Sequence, residues 1–510
     1  MAQKKTKKKQ KQTQSNLLNG RLEIVKSGMG FVVAEGLERD IIVKPDKLSM
    51  ALDGDEVRVE VLPSNKKNGR QEGVIREVIR RSQTEFSGRL EVKEHFAFLI
   101  PDKQNMPVDI FIPLDLLNGG KNGDKAIVKI TDWTPKAKNP VGEVVSILTH
   151  ESNNEIAMQG ILVENGFPLN FPDEVMEEAA RIPEGIDKNE LSYRKDFRDT
   201  LTFTIDPVDA RDFDDAISYK ELKDGVYEIG VHIADVSHYV TPGSPLDQEA
   251  YRRATSVYLP DRVLPMLPER LSNELCSLRP NEEKYTFSAV FKITKEGRVK
   301  DYWLGRTVIK SARRFSYEEV QEIIEGAEGD HKEILLLLNE MAQNLRKERF
   351  KKGAINFSSQ EVRFKLDEHA KPIGIVVKES KEAHQLIEEM MLLANKYVAT
   401  YVSEITVRDK AVPFPYRVHD VPDEEKLKLF TVFASRFGHK FDLNTPDSIA
   451  RSFNEMLRLA QGKPEQHVLE SLGIRTMAKA VYTTDNIGHY GLGFGNYCHF
   501  TSPIRRYPDV

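Results

Sequence analysis

Two similar segments in the first third of the chain place the strongest constraint on its fold. Gly20-Arg-Leu-Glu-Ile24 returns about 68 residues later as Gly88-Arg-Leu-Glu-Val92. Each copy continues into an apolar strand, Phe31-Val-Val33 or Phe96-Ala-Phe-Leu-Ile100, and then into short β-rich pieces separated by Gly, Asp and Asn turns. This pattern is typical of small all-β barrels. The period suits one five-stranded barrel per copy and is too long for a solenoid repeat.

The first copy also carries a nucleic-acid signal. Lys26-Ser-Gly-Met-Gly-Phe-Val-Val33 resembles the aromatic strand of cold-shock OB folds. Such barrels bind single strands by stacking bases on aromatic side chains and by following the phosphates with basic residues. Phe31 is therefore a candidate RNA-binding residue, with a place in the barrel core as the alternative. Six lysines and no acid among residues 1–12 predict a disordered arm that contacts phosphates or simply solubilises the chain.

A cluster of aspartates follows in the segment 204–217. Its members are Asp206, Asp209, Asp212, Asp214 and Asp215. Carboxylates repel each other by about 1 kcal/mol per pair at ~4 Å even in water, and more in a dry site. All-oxygen ligand sets suit hard cations such as Mg²⁺, so the segment predicts a divalent-metal site, with a solvated turn as the alternative. The EF-hand pattern fails because its glycine and terminal glutamate are not at the required positions.

Composition narrows the class of protein. The 510 residues fit three or four domains, and 40% hydrophobic with 30% charged residues is typical of a soluble globular protein. No run of about 18 apolar residues predicts a membrane helix, and no secretory signal is present. Cys276 and Cys498 are too far apart for a metal motif, which favours a reduced, cytoplasmic setting. The net charge of −5 averages over an uneven distribution of charge along the chain, and the local electrostatic potential is what attracts a polyanion.

The predicted organisation is multidomain: two tandem OB-fold, cold-shock-like β-barrels followed by a mixed α/β catalytic domain. Beyond the barrels, 226–234 alternates as a strand, whereas 379–401 and 422–437 have helical spacing. The predicted bounds are 1–17 for a disordered lysine-rich arm, 18–82 and 84–148 for the barrels, 149–199 for a proline-punctuated connector, and 200–510 for the catalytic domain.

Four motifs of the last domain together resemble the ribonuclease II/ribonuclease R (RNB) family. They are the aspartate segment, His232-Ile-Ala-Asp-Val-Ser-His-Tyr239, Tyr258-Leu-Pro-Asp-Arg-Val-Leu-Pro-Met-Leu-Pro268 and Thr501-Ser-Pro-Ile-Arg-Arg-Tyr-Pro-Asp509, in family order. The Asp-Arg-Val after Tyr258-Leu-Pro is more similar to ribonuclease R than to ribonuclease II. The resemblance implies a monomeric, Mg²⁺-dependent exoribonuclease. Such an enzyme degrades single-stranded and structured RNA processively from the 3′ end to nucleoside 5′-monophosphates.

The resemblance also implies roles for the acids. By position, Asp206, Asp212, Asp214 and Asp215 match the four acids of the family, whereas Asp209 falls where the family varies. We expect Asp214 to be catalytic and the other three to hold metal, since two ions about 4 Å apart activate a water and stabilise the leaving oxygen. Arg505 matches the arginine that contacts the reacting phosphate, for which a planar guanidinium is well suited.

RNA contacts are implied for four further residues. Tyr258 and Phe357 match aromatics that clamp the last bases. One of Glu388 and Glu389 matches a glutamate in the RNA channel, and we take it to be Glu389. Arg506 is expected to contact a backbone phosphate. The alternative for each aromatic is a place in the core. For Glu389 it is a solvated helix face, and for Arg506 it is the role of an ordinary surface cation. Tyr416-Arg417-Val-His419 recurs in the family without a role that its chemistry suggests, and His232 and His238 are expected to be structural.

The chain stops at Val510 inside its last motif. The resemblance therefore predicts a fragment that lacks a third OB-type RNA-binding domain and a basic tail. Two rival classes are a non-catalytic RNA-binding or chaperone protein, which predicts eroded acids, and an Mg²⁺-dependent DNA exonuclease. Selectivity for RNA depends on contacts with the 2′-OH, which sequence does not reveal. Ribosomal or RNA-decay partners are not identified by any motif.

Overall fold

The computed structural model describes residues 16–148 and 153–510, apart from 35, 36, 38, 63–70, 104, 136, 358–360, 369 and 370. The chain divides into two compact units between Asn170 and Phe171. The predicted connector 149–199 is thus shared between the units. Most of the predicted lysine-rich arm, residues 1–15, lies outside the described residues.

The first unit consists of two closed five-stranded barrels, as predicted. Their strands are β1 (Leu17–Ile24), β2 (Gly30–Ala34), β3 (Ile41–Val43), β4 (Glu56–Val61), β5 (Glu72–Arg80), β6 (Glu85–Val92), β7 (Ala97–Pro101), β8 (Ile110–Ile112), β9 (Lys125–Asp132) and β10 (Val141–Ile147). The orders are β1-β2-β3-β5-β4 and β10-β8-β7-β6-β9. In each barrel one pair is parallel, β3 with β5 and β8 with β10, and alternate side chains fill the interior.

The glycine of each repeated segment is required by strand packing. A Cβ atom on Gly20 would lie 2.5 Å from the carbonyl oxygen of Val33, and one on Gly88 would lie 2.3 Å from that of Ile100. Both distances are far below van der Waals contact, so only glycine fits where the neighbouring strand comes this close. The sequence repeat therefore marks a structural repeat, and helix α1 (Asn153–Glu164) packs on the second copy through Val163.

The second unit is built on a seven-stranded sheet of order β11-β18-β17-β14-β13-β12-β19. The strands in this part of the chain are β11 (Lys195–Asp196), β12 (Thr202–Asp206), β13 (Asp215–Glu221), β14 (Val226–Ala234), β15 (Val257–Tyr258), β16 (Val263–Leu264), β17 (Glu283–Thr294), β18 (Val299–Lys310) and β19 (Arg313–Ser316). β15 and β16 form a separate hairpin. Apolar clusters cover both faces of the sheet: Ile233 faces one and Ala234 the other, because side chains alternate along β14.

Helices flank this sheet, and several begin at sequence signals. They are α2 (Asp173–Arg181), α3 (Val236–Tyr239), α4 (Pro245–Arg253), α5 (Tyr317–Ile324), α6 (Lys332–Lys351), α7 (Glu382–Ser403), α8 (Glu424–Ser435), α9 (Pro446–Ala460) and α10 (Gln466–Thr476). Ser244 and Thr445 cap α4 and α9 by accepting from the N3 amides, with proline at the next position. A π-helical segment spans Arg270–Leu275.

Short two-stranded sheets complete the fold. They pair β20 (Glu361–Leu366) with β21 (Pro372–Lys378), β22 (Thr406–Val407) with β23 (Lys410–Ala411), and β24 (Tyr416–Val418) with β25 (Val481–Thr483). Helices α8 to α10 enclose a separate apolar cluster around Phe430 and Phe453. Among the residues that the structure describes, no helix is both long enough and apolar enough to cross a membrane.

The motif 232–239 has a structural basis. His232 is fully buried, with Nδ1 2.7 Å from Ser288 Oγ and Nε2 2.8 Å from Ser218 Oγ. Burial lowers the pKa of His232 to about 3, so the ring is neutral and bridges strands β13, β14 and β17. Asp235 is buried between Arg194, at 2.7 Å, and Arg306. These contacts fix the sheet interior rather than present a metal ligand.

Candidate active site

The four predicted acids come together at one end of the β12–β13 pair. Asp206 is the last residue of β12 and Asp215 the first of β13, and the two strands are antiparallel with Phe203 opposite Ile217. The loop between them therefore returns to its starting point and carries Asp212 and Asp214 beside the other two acids. Asp209, which the prediction left out, is exposed on the same loop.

Two side chains from other elements hold this loop. Arg314 Nη2 donates to the carbonyl oxygens of Pro207 at 2.6 Å and Val208 at 2.8 Å. Ser277 Oγ donates to the carbonyl oxygen of Arg211 at 2.7 Å and accepts from the amide of Phe213 at 3.1 Å. The acids are thus held on a fixed backbone, which is a requirement for a preorganised site.

Asp214 makes the central contact of the site. Its side chain is 5% exposed, and Oδ1 accepts from the amide of Ile504 at 2.9 Å. Arg505 Nε lies 3.4 Å from Asp214 Oδ2, and Arg505 Nη2 donates to Ser502 Oγ at 2.9 Å. The guanidinium remains 44% exposed. The acid segment and the last motif, almost 300 residues apart in the chain, therefore form one site.

Burial is the main influence on the protonation of these acids. Burial raises the pKa of Asp214 to about 8, against the opposing effects of Arg505 and the Ile504 amide. Burial also raises the pKa of Asp206 to about 7 and that of Asp215 well above its ordinary value, with Asp206 and Asp214 adding to the shift of Asp215. In the metal-free protein Asp206 and Asp214 therefore hold protons near neutral pH, and a bound cation would replace those protons.

The donor set fits a hard divalent cation. In the described part of the chain, no three His, Cys, Asp or Glu side chains already converge on one point as metal ligands. Mg²⁺ commonly takes only one or two carboxylates and completes its shell with water and substrate phosphate oxygens. Asp206 Oδ2 is buried and has no hydrogen-bond partner among the described residues, which leaves it available as a ligand. The metal-binding assignment of Asp206, Asp212 and Asp215 stays a prediction.

Tyr258 stands at the edge of the same site. It ends β15, and its side chain is 52% exposed, so a ring face is accessible. Its hydroxyl donates to Asp212 Oδ2 at 3.0 Å. The amide of Ser256 donates to the carbonyl oxygen of Arg505 at 3.0 Å, which ties this hairpin to the arginine.

The other predicted RNA contacts are placed differently. Phe357 packs against Phe453, with ring centroids 5.5 Å apart, in the apolar cluster of α8 to α10. Glu389 is 3% exposed, and its carboxylate accepts from Arg349 at 2.5 Å and from Arg346 at 3.4 Å. Among the described residues, no hydrogen bond or ion pair joins Glu389 to the four acids. Contact with RNA stays a prediction for both.

Arg506 and Phe31 also have protein contacts. Arg506 Nη2 donates to Asp509 Oδ2 at 2.9 Å, so this guanidinium is already paired with a carboxylate. Phe31 lies partly buried on β2, opposite Glu23 on β1 and Ile42 on β3. Their predicted contacts with RNA stay predictions.

Sequence reasoning missed the residues that support the acids. Arg314, Ser277 and Ile504 act through main-chain contacts that leave no local signal. Tyr317 was also missed: burial and the nearby Asp215 and Asp206 carboxylates raise its pKa, and its ring stacks on His384 at 4.3 Å. Tyr317 follows β19, which pairs with β12, and only the sheet order reveals that it lies near the acids.

The raised pKa of Asp214 predicts an unusual pH dependence of stability in EDTA. A carboxyl with a folded pKa of about 8 and an ordinary value of 3.8 binds more protons folded than unfolded. Stability is therefore lost as the pH rises from about 4 to about 8, and Asp214 alone should lower the free energy of unfolding by about 2 kcal/mol between pH 6 and 8. Urea unfolding at the two pH values measures this, and Asp214→Asn should reduce the difference. An equal difference in the two proteins would contradict the assigned titration.

Family models match almost the whole length of the chain. A Ribonuclease B OB domain matches residues 20–78, a Cold shock domain matches 98–172, and an RNB domain matches 194–510. This chain belongs to the RNB family. The family match confirms the fold class that the repeats and the four motifs predicted.

Within the RNB family, the chain is similar to ribonuclease R. It is 37% identical over 507 residues to Ribonuclease R 1 of Lactococcus lactis subsp. lactis, covering 95% of this chain. The chain spans 61% of the length of that relative. RNase R of Mycoplasma genitalium in complex with ribose methylated single-stranded RNA superposes with a TM-score of 0.80 at 28% identity, covering 96% of this chain and 78% of that one.

The RNB fold alone does not establish hydrolysis. Yeast Ssd1, described as a pseudonuclease, superposes with a TM-score of 0.69 at 23% identity, covering 97% of this chain and 68% of that one. At this identity the likeness concerns the fold only. The chemistry of this RNB protein has to be argued from its acids and from Arg505.

Proposed function

We propose that this RNB protein is a Mg²⁺-dependent, processive 3′-to-5′ exoribonuclease that hydrolyses single-stranded and structured RNA to nucleoside 5′-monophosphates. The observation that carries the proposal is the contact of Ile504 and Arg505 with Asp214 inside an intact set of four acids. Relatives named ribonuclease R and the RNase R complexes with single-stranded and double-stranded RNA support RNA as the substrate. A protein that only binds RNA does not need these four acids.

Each residue has a role that follows from its position. Asp206, Asp212 and Asp215 would hold the metal, which supplies an activated water and stabilises the leaving 3′ oxygen. In its ionised form, Asp214 orients the attacking water and accepts a proton from it. The exposed edge of the Arg505 guanidinium donates to the non-bridging phosphate oxygens as charge develops on them.

The proposal also concerns how RNA reaches the acids and where the protein acts. The accessible ring of Tyr258 stacks on a base near the 3′ end, and the barrels hold the strand upstream by stacking and phosphate contacts. Stacking is independent of base identity, which suits an enzyme that degrades any sequence. We include in the proposal a monomer acting in the cytoplasm, where the two buried cysteines, Cys276 and Cys498, would stay reduced.

The requirement for a free 3′ end gives a direct test of the reaction type. A linear RNA with a 5′ label should shorten progressively from its 3′ end and release nucleoside 5′-monophosphates. A circular RNA of the same sequence should remain intact under the same conditions. Cleavage of the circle would identify an endonuclease, and stable binding of both substrates without any cleavage would favour the chaperone class.

Tyr258→Ala should lengthen the final product of digestion. Without the ring, short RNAs lose a stacking contact that contributes about 1–3 kcal/mol, and they dissociate before the last cleavages. Binding of long RNA should change little, because the barrels still contact it. Product length on a sequencing gel and filter binding measure the two effects, with Tyr251→Ala as a control on another exposed tyrosine. An unchanged final product would remove Tyr258 from the RNA clamp.

A further inference from the structure

The hydroxyl of Tyr258 makes a contact that base stacking does not require. It donates to Asp212 Oδ2 at 3.0 Å, while about half of the side chain remains exposed. The backbone around it is tied down: Leu259 donates to the carbonyl oxygen of Arg262 at 2.8 Å, and Met266 donates to Ser256 Oγ at 2.9 Å. The hydroxyl is therefore presented from an anchored hairpin.

The position of the Asp212 carboxylate depends on this one contact, whereas Asp214 has more than one. Asp214 is held by the Ile504 amide and by Arg505. Among the described residues, the Asp212 carboxylate accepts a hydrogen bond from the Tyr258 hydroxyl and takes part in no ion pair. The carboxylate is only partly buried, so packing alone does not fix its rotamer.

We propose that Tyr258 is a positioning residue for Asp212, in addition to the stacking role of its ring. The inference rests on the proposed function, since it assigns Asp212 to the metal-binding acids. The hydroxyl donor holds one oxygen of the Asp212 carboxylate and leaves the other available to a cation. One side chain thus joins the binding of the RNA 3′ end to the arrangement of the acids.

This arrangement couples RNA binding and metal binding. A base stacked on the ring restricts the motion of Tyr258 and, through the hydroxyl, that of Asp212. By reciprocity, a cation that orders Asp212 should also favour a base on the ring. Removal of the hydroxyl alone should break the coupling and leave stacking intact.

Tyr258→Phe separates the two roles because it keeps the ring and removes the hydroxyl. Titration of the RNA-free protein with Mn²⁺, with free ion followed by electron paramagnetic resonance, should show affinity weaker by about tenfold, the size expected for one hydrogen bond to a charged acceptor. RNA binding in EDTA and the length of the final digestion product should match the wild type. Tyr258→Ala should weaken the binding of Mn²⁺ and of short RNA and should lengthen the final product, while long RNA still binds.

Tyr507→Phe is the matched control. The Tyr507 hydroxyl donates to Oδ1 of Asp247, on α4, at 2.6 Å. This variant therefore removes the same kind of bond from an acid that has no assigned role. Its Mn²⁺ affinity should equal that of the wild type. In an Asp212→Ala background, Tyr258→Phe should cause no further loss, since the acceptor is already absent.

The outcomes separate the two claims. Wild-type Mn²⁺ affinity in Tyr258→Phe, or an equal loss in the Asp212→Ala background, overturns the positioning role. A wild-type protein that releases no mononucleotides overturns the proposed function instead, and the Mn²⁺ titrations still decide whether the hydroxyl positions Asp212. Melting temperatures of both phenylalanine variants identify any loss that comes from misfolding.

Discussion

Asp214→Asn should lower the rate of mononucleotide release by about 10²–10⁴-fold, the usual effect of removing a general base. Asparagine keeps the volume of the side chain and can still accept from the Ile504 amide, so the loop should keep its position. RNA affinity should persist or rise, because the phosphate no longer meets the ionised form of Asp214 while Arg505 and the barrels remain.

Asp209→Asn is the control for that variant. It removes the same charge from an exposed position on the same loop and should leave the rate unchanged. Filter binding and product release are measured on each protein. Retained cleavage in Asp214→Asn would refute the catalytic assignment, and joint loss of binding and cleavage would indicate a role in folding.

Glu389→Ala should cost about 3–5 kcal/mol of stability, the effect of breaking a buried ion pair by removing one partner. The guanidinium of Arg349 is 5% exposed and would lose the carboxylate that it contacts at 2.5 Å. Urea unfolding measures the loss. Glu388→Ala serves as the control: Glu388 contacts Arg349 at 3.3 Å from a side chain that is 44% exposed, and its removal should cost about 1 kcal/mol or less.

The same variant tests the sequence prediction for Glu389. If Glu389→Ala kept its stability and lost affinity for RNA, the carboxylate would belong to an RNA channel, as the family resemblance implied. Replacing both partners, Arg349→Met with Glu389→Leu, should recover most of the stability, since no buried charge is left unpaired. Failure of the double variant to recover would indicate a second function for the pair.

The parts of the fold that depend on local pattern were predictable. The repeat identified both barrels because each copy contains its own turns and alternating strands, and Gly88 marks a strand contact within its own barrel. The strand 226–234 was predicted with the bounds that the structure shows, because strict alternation persists along β14. Helix α7 begins at Glu382, three residues after the predicted start at residue 379.

The parts that depend on tertiary contacts were not predictable from pattern. The meeting of Asp214 with Arg505 followed only from the family resemblance, because no local rule joins residues so far apart in the chain. The spacing of α7 showed that Glu389 interrupts an apolar face, which is equally typical of a channel residue and of a buried ion pair. Only the packing of α6 reveals Arg349 as its partner.

One incubation tests the central claim most directly. The protein is mixed with single-stranded RNA and single-stranded DNA of matched sequence, each with Mg²⁺ or EDTA, and the products are resolved at single-nucleotide level. The account predicts nucleoside 5′-monophosphates and progressive shortening from the 3′ end for RNA with Mg²⁺, and intact substrate in the other three mixtures. Equal digestion of DNA would contradict the assignment to RNA, and digestion in EDTA would contradict the role of Asp206, Asp212 and Asp215 as a metal site.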